Sequence, residues 1–229
     1  NMGFSHISAI DPGAQENMKP TITTLIPTFR RPRLLARAIS SALNQSYENI
    51  RVHVFDNNSG DDTEYIVRDI IRNDPRVSYT KNPTNIGAVN NIRNAVVSVN
   101  TDYYSILSDD DMLLPNFYEM CVYELSVHRD AKFICGASEV IDTRTWRRAR
   151  WSMDWLAGHY LPSIAQSRHM YTSHFVSTGV LFHREVRDSL GAFSRIGDDR
   201  FYMSLAASVH PFVVLSEPAA VFFWNDDSV

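Results

Sequence analysis

Between Thr21 and His128 the chain switches four times from a short strand-like run to a segment with helical apolar spacing. Thr21-Ile22-Thr23-Thr24-Leu25-Ile26 is a β-branched run that closes at Pro27. Leu34, Leu35, Ala38, Ile39, Ala42 and Leu43 then share one helical stripe opened by Pro32. Ile50, Val52 and Val54 alternate with Arg51, His53 and Phe55 as a second strand. Ile66, Val67, Ile70 and Ile71 mark the next helix, closed by Asn73-Asp74-Pro75. Val77 to Thr80 predicts a third strand, and a helix carrying Val89, Ile92, Val96 and Val99 follows. Tyr103 to Leu107 predicts a fourth, with a helix from Phe117 to about His128 behind it. Such alternation leaves few architectures: a mostly parallel sheet with helices on both faces.

Ligands of such sheets bind beyond the carboxyl ends of the strands. The loops expected there are Pro27 to Arg31, Asp56 to Asp62, Asn82 to Gly87 and Ser108 to Asp111, and all four are polar. The last holds Asp109, Asp110 and Asp111 in succession. Three adjacent carboxylates repel one another and favour no regular element. They suit a divalent cation with an anion attached to it, or a solvated acidic turn that caps the next helix. Asp61 and Asp62 suit caps of the helix after the second strand. The helix after Gly87 bears Asn90, Asn91, Arg93 and Asn94. Asparagine is a poor helix former, so either this helix frays or its amides face something polar.

From Lys132 the pattern changes. Phe133 to Ile141 is strand-like. The stretch 142–174 has no steady period and reads as a long excursion from the sheet. It carries Arg144, Arg147, Arg148 and Arg150 beside Trp146, Trp151, Trp155 and Tyr160. Val176 to Phe182, Pro211 to Leu215 and Ala220 to Trp224 read as strands, and Phe201 to about Val209 as a helix. Residues 1–19 read as an N-terminal extension. Residues 20–229 read as one domain, with a nucleotide-binding part to about 130 and an acceptor-side part from about 131.

Composition sets the outer limits. The 229 residues are 44% hydrophobic, enough for one substantial α/β core, and a net charge of −4 gives no reason to expect nucleic acid as a partner. Two cysteines, Cys121 and Cys135, fall in helical and strand-like patterns and read as reduced core residues. His53, His183 and His210 lack the paired spacing of a zinc site. No apolar run is long enough to span a bilayer and no signal peptide is evident, which predicts a cytoplasmic protein. Peripheral association with the inner membrane face through a longer parent chain stays open.

The motifs also occur in a familiar order. Thr24-Leu25-Ile26-Pro27-Thr28-Phe29, Asp56-Asn57-Asn58-Ser59 with Asp61 and Thr63, Asn85-Ile86-Gly87, Ser108-Asp109-Asp110-Asp111 with Pro115, and Gly197-Asp198-Asp199 together resemble the inverting family 2 glycosyltransferases of GT-A fold. The likeness runs from about Thr21 to Trp224. It implies a Rossmann-like GT-A sheet with a small acceptor-side extension. It also implies transfer of a sugar from a nucleotide-sugar donor, most often a UDP-sugar, to an acceptor hydroxyl in polysaccharide or glycoconjugate synthesis.

The resemblance further implies site residues. Pro27, Thr28 and Phe29, with Arg31 nearby, would wrap the nucleobase, and Asp56 would bond uracil. Asn85, Gly87, Asn91 and Arg93 would approach the donor. Asp109 would contact ribose, and Asp110, with Asp111 beside it, would hold Mg²⁺ or Mn²⁺. Asp199, with Asp198 before it, would supply the general base. Where relatives commonly show Glu-Asp, this chain has Asp198-Asp199, and Ser108 stands where many have another aspartate.

These residue types fit the chemistry. A divalent ion takes carboxylate and phosphate oxygens and neutralises a departing diphosphate, and a carboxylate can take the proton of an acceptor hydroxyl. Trp151 and Trp155 suit stacking on sugar rings or packing in the core. Arg148 and its neighbours suit the phosphate of a lipid-linked or anionic carbohydrate acceptor, or a solvated basic face. A nucleotidyltransferase of the same fold class would carry a glycine-rich first loop, and Pro27 to Arg31 has no glycine. The other reading is a non-catalytic nucleotide-sugar or carbohydrate binding module of this fold.

Overall fold

A computed structural model describes residues 19–151, 154–192 and 199–224. The expected extension therefore lies, apart from Lys19, outside the described residues. So does Asp198.

The first half follows the predicted alternation. β1 (Ile22–Thr28), α1 (Pro32–Leu43), β2 (Ile50–Asp56), α2 (Thr63–Asn73), β3 (Val77–Lys81), α3 (Ala88–Val97) and β4 (Tyr103–Ile106) succeed one another. β1 lies parallel between β2 and β4, and β3 flanks β2. Pro27 does not end β1, which continues to Thr28. The β4 register stops at Leu25, so at Pro27 the strand pairs with β2 alone and a missing N–H is tolerated. Of the two expected caps of α2, Asp61 takes the role. Its Oδ1 accepts from Thr63 N at 3.0 Å and Thr63 Oγ1 at 2.6 Å, whereas Asp62 makes no side-chain cap bond.

The second half departs further. β5 (Met112–Leu113), α4 (Phe117–Val127), β6 (Phe133–Asp142), β7 (Arg148–Arg150), β8 (Gly158–Tyr160), α5 (Ile164–Thr172), a 3-10 turn at Ser177–Gly179, β9 (Val180–His183), α6 (Arg184–Leu190), α7 (Asp199–Val209) and β10 (Phe212–Trp224) complete the described chain. The strand order is β3-β2-β1-β4-β9-β6-β10-β5, with β7 on β6 and β8 on β10. β9 runs antiparallel to both of its neighbours, β4 and β6, while β6 and β10 are parallel.

Within the excursion expected at 142–174, the described residues form a hairpin, an edge strand and a helix. Its elements are short, and β7 exposes all three of its residues, so no apolar period marks it. The two late strands are one strand of 13 residues. Register shifts between Val214 and Ala220 form a bulge that accommodates Pro218.

Two apolar clusters form the core. One holds Leu35, Val67, Phe117 and Leu125 from α1, α2 and α4. The other holds Val96, Met170, Tyr202 and Ala206 from α3, α5 and α7. Each large apolar side chain among them contributes about 1.5–3 kcal/mol by leaving water. Cys121 and Cys135 are buried free thiols, and burial pushes both well above their ordinary range.

The core also sets where α7 ends. Phe212 pairs with Phe133, the start of β6, so α7 ends near the amino edge of that strand pair. Its 11 residues make about 16 Å of helix. No helix among the described residues is long and apolar enough to cross a membrane.

Candidate active site

The four polar loops converge at the carboxyl edge on a cavity of about 530 Å³. Pro27, Thr28, Phe29 and Arg31 supply one wall; Asn57, Asn85, Gly87, Ala88, Asn91 and Ile92 a second; Ser108, Asp109 and Asp110 a third; Phe222 and Trp224, from the end of β10, a fourth.

The carboxylate wall is held from α1 and β1. Thr28 Oγ1 donates to Asp109 Oδ2 at 2.7 Å. Arg31 Nη1 bridges Asp109 Oδ1 at 3.2 Å and Asp110 Oδ2 at 2.7 Å. An Arg37 Nη donates to the backbone oxygen of Asp110. Burial raises the pKa of Asp109, with Thr28 and Arg31 opposing the rise. Behind the loop, Ser41 Oγ accepts from Leu113 N at 3.1 Å, and Gln45 bonds Leu114 O at 2.8 Å and Tyr118 N at 3.2 Å. Ser41 lies on the buried side of α1 and Gln45 just beyond its end, and apolar spacing does not single out either.

Asp111 behaves differently from its neighbours. It is fully buried and does not line the cavity. Oδ2 accepts from Thr178 Oγ1 at 2.7 Å and Oδ1 from Phe223 N at 3.0 Å. Burial pushes its pKa up to about 7, the two hydrogen bonds opposing. Desolvating a carboxylate costs several kcal/mol, and bonds worth about 1.5–3 kcal/mol each do not fully offset it. As a metal ligand, Asp111 is displaced by these contacts: both oxygens face the protein interior.

Thr178 reaches Asp111 because two glycines let three backbones nest. A Cβ on Gly179 would lie 2.7 Å from Gly136 O, and one on Gly136 would lie 2.4 Å from Ala219 Cβ.

The amide wall is a network. Asn57 Oδ1 accepts from Ile86 N at 2.9 Å, and Asn57 Nδ2 donates to Asn85 Oδ1 at 2.8 Å. Asn82 Nδ2 donates to Asn91 Oδ1 at 2.8 Å, and Asn91 Nδ2 to Phe55 O at 2.8 Å. This answers the asparagine-rich helix: α3 forms, and Asn91 binds the backbone of β2. Gly87, with φ of 82°, opens α3 in a conformation that other residues rarely adopt.

Asp56 supports the same wall without lining the cavity. Its Oδ1 accepts from Ser59 N at 2.8 Å and Ser59 Oγ at 2.6 Å, and its Oδ2 from Tyr79 Oη at 2.6 Å. Arg93 is exposed and is not among the lining residues. Asn57 and Asn82 were given no role from sequence, although both sit inside loops already marked as polar.

Of the acceptor-side set, Arg148 is exposed on β7. The indole of Trp155 donates to Ser173 O at 2.7 Å and stacks on His169 with ring centroids 4.1 Å apart, beside Tyr160, Phe175 and Phe212. The Trp151 indole donates to His174 O at 3.1 Å and meets Phe222 edge-on at 6.1 Å. Both tryptophans line a second cavity of about 520 Å³ with Arg150, Leu156 and Phe175. Asp199 is the first residue of α7, where its Oδ1 accepts from Arg200 N at 2.9 Å.

Two carboxylates on one wall suit a divalent ion that is held by one or two protein oxygens and completed by phosphate. Among the described residues no group of three or more His, Cys, Asp or Glu forms a cage made by the protein alone. Asp109 and Asp110 are the carboxylates on that wall that would hold such a cation.

A mostly parallel sheet with a polar cavity at its carboxyl edge defines an α/β architecture of Rossmann-like type. Residues 23–191 match the pattern of "Glycosyl transferase family 2", and the chain belongs to that family. In sequence it is similar to the GalNAc(5)-diNAcBac-PP-undecaprenol beta-1,3-glucosyltransferase of Campylobacter jejuni, at 34% identity over 96 residues, 42% of this chain and 31% of that protein. In structure it is similar to S. aureus TarS 1-349 in complex with UDP-GlcNAc, with a TM-score of 0.74 at 15% identity over 91% of this chain and 60% of that one. It is also similar to the mannosyltransferase PcManGT from Pyrobaculum calidifontis in complex with GDP-Man and Mn²⁺, with a TM-score of 0.68 at 14% identity over 93% and 59% of the two chains. Identities this low establish the fold. The chain spans less than two thirds of each of these proteins.

Proposed function

We propose that this chain transfers a sugar from a nucleotide-sugar donor, a UDP-sugar first, to an acceptor hydroxyl with inversion and with the help of Mg²⁺ or Mn²⁺. The observation that carries the reading is the carboxyl-edge cavity, where Asp109, Asp110 and Arg31 face an amide wall across a space fit for a nucleotide.

In this reading residues to about 130 bind the donor. Pro27, Thr28 and Phe29 flank the base, Asn85, Gly87 and Asn91 form the opposite wall, and Asp109 contacts the ribose. Asp56 acts by holding the loop. Asp110 would hold the cation, which supplies charge neutralisation at the departing diphosphate. Arg31 then exchanges its carboxylate partners for phosphate oxygens, to which a guanidinium binds in a fork.

Residues from about 131 receive the acceptor. Its hydroxyl oxygen attacks the anomeric carbon, the bond to the diphosphate breaks, and the hydroxyl proton passes to Asp199 at the start of α7. The place of Asp199 as the first residue of α7 supports that role. The relative from Campylobacter jejuni is named for a polyprenyl diphosphate glycan. A carbohydrate or lipid-linked acceptor is the corresponding proposal here, handled at the cytoplasmic face of a membrane to which a longer parent chain would bring the domain.

Calorimetric titration with UDP tests the donor half. Binding is expected to strengthen at least tenfold with Mn²⁺, and Asp110→Ala is expected to abolish that gain. UDP binding that ignores Mn²⁺ in the wild type would refute the metal-dependent reading. For catalysis, Asp199→Asn is expected to keep UDP affinity and lose donor turnover by about a hundredfold or more. A wild type that binds UDP yet turns over no UDP-, GDP- or dTDP-sugar would be a binding module.

A further inference from the structure

We propose that Asp111 is a positioning residue that locks the end of β10 onto the carboxylate loop, so that Phe222 and Trp224 stand as the fourth wall of the donor cavity. The proposal rests on the donor reading of that cavity.

The lock begins in the backbone. Leu113 pairs with Ala220 and Met112 with Val221 in an antiparallel ladder, and Leu114 N donates to Ala219 O at 2.9 Å. The ladder stops there. One position on, the Asp111 carboxylate takes over, accepting from Phe223 N at 3.0 Å. Its other oxygen accepts from Thr178 at 2.7 Å, which ties the same side chain to the 3-10 turn. Arg37 closes the arrangement from α1, with its guanidinium 3.8 Å from the Phe223 ring centroid and a hydrogen bond to the Asp110 carbonyl.

One buried carboxyl group therefore joins three segments, and two of the residues it fixes in place belong to the cavity wall. Phe222 and Trp224 flank Phe223, and both line the cavity, whereas Phe223 is buried. Fixing the Phe223 amide fixes the backbone from which the two cavity rings project. It fixes them relative to Asp109 and Asp110, which precede Asp111 in the chain. An amide side chain at 111 would accept from the Phe223 N–H more weakly than a carboxylate does, and a short side chain would not reach it.

Thr178→Val and Asp111→Asn test this, with Thr178→Ser as the conservative control. Each is checked for folding by circular dichroism and then titrated with UDP and Mn²⁺. Both calorimetry and the fluorescence of Trp224 are read, the latter by difference from Trp224→Phe. Thr178→Val and Asp111→Asn are expected to weaken UDP binding about tenfold and to diminish the Trp224 response, while Thr178→Ser restores both. Donor KM is expected to rise more than kcat falls, because the lock shapes the donor wall and not the base.

Folded Thr178→Val and Asp111→Asn proteins with wild-type UDP affinity and Trp224 response would overturn the lock. So would losses that track thermal stability and that Thr178→Ser fails to restore. Failure of the wild type to bind UDP would instead sink the donor reading beneath it.

Discussion

Asn57 shows how a short polar side chain can carry a binding wall. Buried beside β2, it satisfies the amide of Ile86 and holds the side chain of Asn85, while Asn82 and Asn91 complete the set. Asn57→Leu keeps the branched shape and removes the bonds that Asn57 itself makes, leaving the Ile86 N–H without this partner. The expected loss is about 1–3 kcal/mol of stability, together with weaker UDP binding, since Asn85 and Gly87 line the cavity. Thermal denaturation and calorimetry on one preparation check both. Sequence alone marked the loops that hold these residues, because Asn, Gly and Pro punctuate strand and helix ends. It did not mark the partners: Asn57 and Ile86 stand 29 positions apart, and Asp111 and Thr178 stand 67 apart. Which amide faces which carbonyl is decided by packing, and no local period encodes it.

Strands and helices divide along the same line. β1 to β4 and α1 to α4 were legible because β-branched runs and amphipathic stripes repeat over whole elements. β5, β7 and β8 span two or three residues each, too short for any period to register. α6 was missed for a similar reason: it spans seven residues, of which Val186 alone is buried. β10 was split because Pro218 reads as a break, whereas the bulge absorbs it. The packing of β6, β10 and the 3-10 turn gives a direct test. Gly136→Ala would put a Cβ 2.4 Å from that of Ala219, with Gly179 and its turn pressed against the same backbone. Overpacking of this kind is expected to cost about 1–3 kcal/mol, read as a lower denaturation midpoint. Gly60→Ala, where a Cβ would meet open space but φ is 70°, serves as a strain-only comparison.

The whole molecule has a chemical polarity along its strands. The carboxyl edge gathers carboxylates and amides, and the amino edge gathers histidines. His183 and His210 lie there with Lys132, Glu185 and Ser189, and His210 Nε2 is 2.7 Å from Ser189 Oγ. Burial lowers both pKa values. Lys132 lowers them further, and Glu185 opposes. A histidine with a depressed folded pKa binds fewer protons folded than unfolded. Its contribution is therefore complete above the ordinary value of 6.5 and drains away as pH falls through the depressed one. Between pH 7 and pH 5, His210→Gln is expected to lose less stability than the wild type in urea unfolding, with the two curves converging in slope above pH 7. Equal losses across that window would remove His210 from the account.

Arg31 gives the donor cavity a logic of its own. Lying across Asp109 and Asp110, it makes a lone divalent ion compete with a cation already in place. A lone diphosphate, for its part, meets a wall that bears two carboxylates. On the proposed reading, Asp109 and Asp110 would hold an ion that arrives with its diphosphate, and Arg31 would then be released to phosphate. The cavity would on that reading act as a coincidence detector, binding the pair more tightly than either component alone. A cell rich in free Mg²⁺ and in free nucleotides is a setting where that discrimination has value.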